Sequence, residues 1–187
     1  MEKIQISIII PAYNAEKTIG LTLHSLFAMK LKERFEVIVV DDGSTDKTKE
    51  IIAGFKDVKL ISQDRKGPGA ARNTAIKQAK GNYAYFLDSD CEVISDTVEK
   101  LYTYMQKDEK IGAVGGSIEL PPTEKNILAI ADHYASWYHH NPRQRSGKVR
   151  STPTANLLVK KEVFDKTGYF MTGVTSGEDV DFGMNVK

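Results

Sequence analysis

The sequence is short of several things, and each shortage excludes something. It carries a single cysteine, Cys91, so no intrachain disulfide can staple the fold. A reducing compartment suits such a chain. Cys91 has no base arranged beside it in sequence and reads as a small near-core residue, not a nucleophile. No run of about 18 apolar residues occurs, so no stretch reads as a bilayer-spanning helix. Residues 1–10 are too few, and too polar at their start, for a signal peptide. Neither sign of charge dominates: 26 Lys and Arg face 25 Asp and Glu, net +1, which gives no global field for nucleic acid or an anionic membrane. The four histidines lack metal-ligand spacing; His24 reads as a helix residue, and His139-His140 as loop surface or acceptor side. Repeats and low-complexity tracts are missing too.

What is present is an ordinary globular composition, 41% hydrophobic and 27% charged. The chain is most simply one domain over residues 1–187, long enough to bury a core without staples. Its organising stretch is Tyr83-Ala84-Tyr85-Phe86-Leu87-Asp88-Ser89-Asp90. An apolar run without strict alternation suits a strand buried on both faces. It ends in two carboxylates, which are costly there unless something cationic meets them. The carboxyl ends of strands in an open α/β sheet are also where ligands bind. A hard divalent cation carrying substrate phosphates answers both facts, although Asp-Ser-Asp alone reads equally as a polar turn.

Earlier in the chain, residues 4–10, 35–40 and 58–62 read as strands, the first rich in β-branched residues and broken by Pro11. Asn14 is a candidate N-cap for a helix carrying Ile19, Leu23, Leu26 and Phe27 on one face. Pro68 opens an alanine-rich helix that Gly81 stops, and Ser95-Asp96 starts another with Val98, Leu101, Tyr102 and Met105 on one side. Residues 111–120 look extended. Four strand–helix units in succession imply a mostly parallel sheet with helices on both faces. Beyond Pro121 come an amphipathic helix (Ile127, Ile130, Ala131, Tyr134, and Trp137 or Tyr138), a basic mobile loop at 139–150, a strand at 156–160 and a helical turn at 162–166. A Gly/Ser/Thr-rich loop at 172–177 precedes a last helix that starts at Glu178.

Three acidic clusters thus fall at element ends: Asp41-Asp42, Asp88/Asp90 and Glu178-Asp179. Taken singly, each has a bland explanation. Ser44 or Thr45 can cap the helix after Asp42, which leaves Asp41 and Asp42 without an evident structural duty and free to accept from a nucleobase or ribose. Glu178-Asp179 suits a helix N-terminus, or a general base at a loop–helix junction. Gly67-Pro68-Gly69 is not the dinucleotide fingerprint, and no P-loop occurs. Arg65, Lys66 and Arg72, near a helix N-terminus, could meet a diphosphate.

In order, Ser7-Ile8-Ile9-Ile10-Pro11-Ala12-Tyr13-Asn14, Val39-Val40-Asp41-Asp42-Gly43-Ser44-Thr45-Asp46, Gly69-Ala70-Ala71-Arg72-Asn73, Phe86-Leu87-Asp88-Ser89-Asp90, Thr154-Ala155-Asn156 and Gly177-Glu178-Asp179-Val180-Asp181 resemble the family 2 glycosyltransferases of the GT-A fold. The resemblance covers essentially the whole chain. It implies an inverting transferase that moves a sugar from a nucleotide-diphosphate donor, a UDP-sugar first among candidates, to a glycan or lipid-linked acceptor in cell-wall or surface polysaccharide synthesis. By the same resemblance Pro11, Ala12 and Tyr13 border the base, and Asp42 reads it with Asp41 beside it. Arg72 lies near base or diphosphate, and Asp88 and Ser89 meet the ribose or sugar. Asp90 with Asp88 holds Mn²⁺ or Mg²⁺, and Asp179 is the general base with Glu178 in support. On this resemblance residues 1–120 form the donor half and 121–187 the acceptor half; the chain stops eight residues past Asp179, where many relatives continue, and so reads as a minimal or a truncated core. The processive Gln-x-x-Arg-Trp motif is missing. A cytoplasmic setting follows, with any membrane association through a part outside this chain. Two other readings stay open: a sugar-1-phosphate nucleotidyltransferase, and a nucleotide-sugar-binding module without turnover.

Overall fold

A computed structural model describes residues 3–121, 123–137, 147–149, 152–174 and 177–186, and the side chains of all of these except 134–137. Six strands form one sheet in the order β3-β2-β1-β4-β6-β5, where β1 is Ile6–Ala12, β2 Phe35–Asp42, β3 Val58–Gln63, β4 Tyr83–Leu87, β5 Ala113–Gly115 and β6 Asn156–Lys160. The first four strands pair in parallel, as the strand–helix succession predicts. Antiparallel β6 then adds to β4, and β5 adds to β6. The later part of the chain therefore inserts a strand between two earlier ones.

Side-chain alternation divides the interior into two cores. Ile6, Ile8 and Ile10 of β1, Val37 and Val39 of β2, and Tyr85 and Leu87 of β4 face one side. There they meet α1 (Ile19–Ala28), α2 (Thr48–Ala53) and α4 (Thr97–Met105) through Leu23, Ile52 and Leu101. The residues between them, Ile9, Ile38, Val40, Ala84 and Phe86, face the other side. That side holds α3 (Pro68–Gln78), α6 (Glu162–Thr167) and α7 (Glu178–Asn185) through Ala71, Ala75, Phe164 and Phe182. The two cores account for the strands' continuous apolar runs.

Four local expectations need correction. Pro11 does not break β1, which continues to Ala12; β4 pairing ends at Ile9, so this end of the strand is paired on one side only, where proline is tolerated. Asn14 caps no helix. Its φ is 48°, and its Oδ1 accepts from the Thr45 amide, tying together the turns after β1 and β2. Gly81 is no helix stop: α3 ends at Gln78, and a Cβ at Gly81 would lie 2.6 Å from the Ser7 nitrogen, so the glycine permits close backbone approach. The extended stretch after residue 111 is a strand over Ala113–Gly115 alone; the Gly116 amide still donates to the Asn156 carbonyl at 2.9 Å, and the Asn156 side chain fills the space a Cβ of Gly116 would take.

The helix α5 (Ile127–Trp137) forms as its period predicts, but Ile127 and Leu128 are about three-quarters exposed, at 77% and 76%. Amphipathic spacing fixed the helix type without fixing a partner for its apolar side. Tyr138 and most of the expected loop at 139–150 lie outside the described residues.

Replacing Gly81 with alanine drives a methyl into the Ser7 and Ile6 backbone. Overpacking of this kind costs about 1–3 kcal/mol, so urea denaturation of Gly81→Ala should give a clearly lower midpoint at unchanged slope. An unaltered midpoint would contradict the close approach.

Candidate active site

A cavity of about 430 Å³ opens at the carboxyl ends of β1 and β4, between the start of α3 and the start of α7. Its walls include Pro11, Ala12 and Tyr13 after β1, Asp42 after β2, Arg65, Gly67, Pro68 and Arg72 from the β3–α3 turn and α3, Asp88, Ser89 and Asp90 after β4, and Thr154, Gly177, Glu178 and Asp179. Ten of the eleven residues expected to serve the site therefore come together.

The eleventh, Asp41, faces the other way. Successive residues of a strand point to opposite faces. Asp41 accordingly sits with Ser44, Lys49 and Asp64 in a separate polar recess and accepts from the Ser44 amide at 3.2 Å. Asp42 takes the α3 side, where it has a structural duty the sequence did not reveal. Its Oδ1 accepts from Gln63 Nε2 (2.7 Å) and the Lys66 amide (2.9 Å), and its Oδ2 from the Gly67 amide (2.8 Å). One carboxylate thus holds the turn that leads into α3. Asp46, not Ser44 or Thr45, accepts from the Thr48 amide at the head of α2. Ser44 instead accepts from the Asn14 amide.

Arg72 is the buried centre of the site, with a side chain only 4% exposed. Its Nη1 donates to Glu178 Oε1 at 2.6 Å and its Nη2 to Asp88 Oδ1 at 2.8 Å. The guanidinium therefore links α3 to the end of β4 and the start of α7. One N–H of each outer nitrogen is thereby taken by a protein carboxylate. Glu178 is also buried and packs over Gly69, where a Cβ would lie 3.2 Å from its Cγ. Phe182, one turn further along α7, is sealed against Phe164 and Phe170. With Glu178 and Phe182 facing inward, Asp179 is left at the cavity wall, its Oδ1 accepting from the Val180 amide.

The loop after β4 is fixed from below by α1. Thr22 Oγ1 donates to the Ser89 carbonyl at 3.0 Å, and the Val93 amide donates to Ser25 Oγ at 2.9 Å. These two hydroxyls, one turn apart, hold the loop backbone at Ser89 and at Val93. Partial burial pushes the Asp88 carboxyl above its ordinary range; Arg72 opposes the shift, while the carboxylates of Asp90 and Asp179 reinforce it. Five acids, Asp42, Asp88, Asp90, Glu178 and Asp179, thus line one cavity, and Arg65 and Arg72 offset only part of their charge.

That donor set fits a hard divalent cation. Among the described residues no cluster of three or more His, Cys, Asp or Glu forms a closed metal cage. Mg²⁺-type ions do not need one, since they are commonly held by one or two carboxylates plus substrate phosphates. Thr154, the first residue of Thr154-Ala155-Asn156, also lines the cavity, a place the sequence does not mark. The sequence leaves Arg65 undecided between a solvated turn and a diphosphate contact. In the structure the Arg65 guanidinium lies 3.3 Å from the centre of the Tyr13 ring.

Two outcomes follow from this geometry. Arg72→Ala strands a buried Glu178 carboxylate and should cost about 3–5 kcal/mol in denaturant unfolding; Arg72→Lys, lacking the planar fork, should recover only part of it. A loss below about 1 kcal/mol would contradict the bridge. Burial, helped by the carboxylates of Asp88 and Asp90, pushes the Cys91 thiol up to about 12. At pH 8 its reaction with a disulfide reagent should therefore run about a thousandfold slower than that of a free thiol; a free-thiol rate would contradict that environment.

Comparison with known proteins agrees with the fold. The chain is 33% identical over 181 residues to glycosyltransferase AglE of Haloferax volcanii, covering 94% of this chain and 59% of that protein. It is 31% identical over 182 residues to the poly-beta-1,6-N-acetyl-D-glucosamine synthase of Staphylococcus epidermidis, covering 94% and 44%. Among solved structures, residues 1–349 of Staphylococcus aureus TarS in complex with UDP-GlcNAc superpose with a TM-score of 0.77 at 24% identity, covering 97% of this chain and 53% of that one. The mannosyltransferase PcManGT of Pyrobaculum calidifontis, solved with GDP-Man and Mn²⁺, gives a TM-score of 0.72 at 24% identity, covering 97% and 51%. This chain thus spans about half the length of such relatives. The family described as glycosyl transferase family 2 matches residues 7–168, and the chain belongs to that family.

Proposed function

We propose that the chain is the donor-binding and catalytic region of a metal-dependent inverting glycosyltransferase. It transfers a hexosyl or N-acetylhexosaminyl group from a nucleotide-diphosphate donor, a UDP-sugar first among candidates, to a hydroxyl of a glycan or lipid-linked acceptor. The product is a cell-wall or surface polysaccharide. The observation that carries this reading is the convergence of Asp88, Asp90, Glu178 and Asp179 with Tyr13 and Asp42 around one cavity. Support comes from the UDP-GlcNAc and UDP complexes of TarS and the GDP-Man complex of PcManGT, which have this fold. Residues 1–120 then serve as the donor half and 121–187 as the acceptor half of one catalytic domain. Among the described residues no helix is long and apolar enough to cross a membrane. A cytoplasmic setting, at the membrane face, suits a nucleotide donor.

The residues divide the work as follows. Pro11, Ala12 and Tyr13 border the base with Asp42, and Asp88 and Ser89 meet the ribose and sugar. Asp88 and Asp90 would hold Mn²⁺ or Mg²⁺, which when bound supplies neutralisation of the charge that builds on the departing diphosphate. Glu178, bonded to Arg72, stays in place and orients the start of α7. Asp179 takes the proton from the acceptor hydroxyl while that oxygen attacks the anomeric carbon from the face opposite the diphosphate. The carbon–oxygen bond to phosphate breaks, its electrons leave with the diphosphate, and the configuration inverts. No carboxylic acid need protonate the leaving group, unlike the glycosidase pair.

Asp179→Asn should bind UDP with Mn²⁺ as the parent does in calorimetry, yet release UDP from UDP-GlcNAc with a panel of glycan acceptors at least about 100-fold more slowly. Parental release by Asp179→Asn would remove Asp179 from the role of base.

A further inference from the structure

Resting on that reading of the donor site, we infer that Arg65 is an exchange latch: its guanidinium covers the Tyr13 ring until a nucleobase takes that face, and then moves to the donor diphosphate.

Tyr13 is 39% exposed and presents an aromatic face to the cavity. The Arg65 guanidinium carbon lies over that ring at 3.3 Å from its centre, close enough to shut out a second flat group on the same face. Base and guanidinium therefore cannot share the face. The magnitudes favour exchange. An exposed cation–π pair shifts an equilibrium by about two- to fivefold, whereas a base stacked on an aromatic side chain is worth about fivefold to more than a hundredfold.

The displaced side chain cannot wander far. The Asp42 carboxylate holds the amides of Lys66 and Gly67, which fixes the backbone immediately after Arg65. On the other side the turn after β2 closes against it, through Gly43 at φ +77°, where a Cβ would lie 3.0 Å from the Arg65 nitrogen. Only side-chain torsions remain free. The same turn leads into Pro68, the first residue of α3, an 11-residue helix whose leading amides favour an anion. A freed guanidinium beside that helix end meets a diphosphate with two parallel donors, which an ammonium cannot offer. Base entry and phosphate capture are thereby coupled through one side chain. Arg72 is not free to move in this way, because Glu178 and Asp88 anchor its outer nitrogens.

Calorimetric titration of the chain with uridine and with UDP, at one fixed Mn²⁺ concentration, tests the exchange. Arg65→Ala removes a competitor for the ring and should bind uridine about two- to fivefold more tightly. It also removes a phosphate ligand and should bind UDP at least about tenfold more weakly. Arg65→Lys should gain uridine affinity in the same way while losing less for UDP. Weaker or unchanged uridine binding by Arg65→Ala would overturn the exchange, since Arg65 would then clamp the base or ignore it. Unchanged UDP binding would overturn the phosphate half. A parent chain that binds UDP in these titrations while the variants fail either test sinks the latch alone; a parent that binds no UDP sinks the donor-site reading itself.

Discussion

The site depends on one buried ion-pair bridge. Arg72 enters from α3 and holds an oxygen of Asp88 and an oxygen of Glu178 at 2.8 and 2.6 Å. A charge taken this far from water costs several kcal/mol unless it is paired. The three groups therefore need one another, and the bridge defines where the end of β4 and the start of α7 stand relative to α3. It also sorts the acids. Glu178 and one oxygen of Asp88 are committed to the guanidinium, while Asp90 and Asp179 make no ion pair with it and are left at the cavity wall. Gly69 is needed because the chain at Met171 and Glu178 passes directly over α3; a Cβ there would lie 2.3 Å from the Met171 carbonyl oxygen.

The parallel sheet supplies the second constraint. β1, β2, β3 and β4 all end at the same edge, so the loops after them meet without long excursions. Neighbouring loops then stitch together: Asn14 reaches Thr45, Asp42 reaches the turn before α3, and Thr22 reaches Ser89. Asn73 completes the set by bonding both polar backbone groups of Phe170. The loops that line the cavity are consequently tied to neighbouring loops and helices.

Much of this was legible in the sequence because it is local. The apolar runs before Asp41, Asp88 and Lys161 announce buried strands, and the alternation of strand and helix announces parallel pairing. The acids at strand ends announce a ligand site. What could not be read was direction. Asp41 and Asp42 are neighbours in sequence but face opposite sides of β2, and only the strand's register decides which one reaches the cavity. Nor could partners be read for long side chains: Arg72 and Glu178 lie 106 residues apart, and no local pattern couples them. Gly81 and Gly116 looked like a helix stop and part of a strand, because closeness to Ser7 and Asn156 is a tertiary fact. The partial exposure of α5 has the same origin, since period alone marks an apolar face without supplying what covers it.

The central claim is that the acids around Arg72 form a site for a metal-bound nucleoside diphosphate. Its most direct test is the Mn²⁺ dependence of UDP affinity, measured by calorimetry on the parent chain and on Asp90→Ala. The account predicts tight binding by the parent with Mn²⁺, at least about tenfold weaker binding without it, and no Mn²⁺ effect in Asp90→Ala. Equal UDP affinity with and without Mn²⁺, or a full Mn²⁺ effect that survives loss of Asp90, would contradict it.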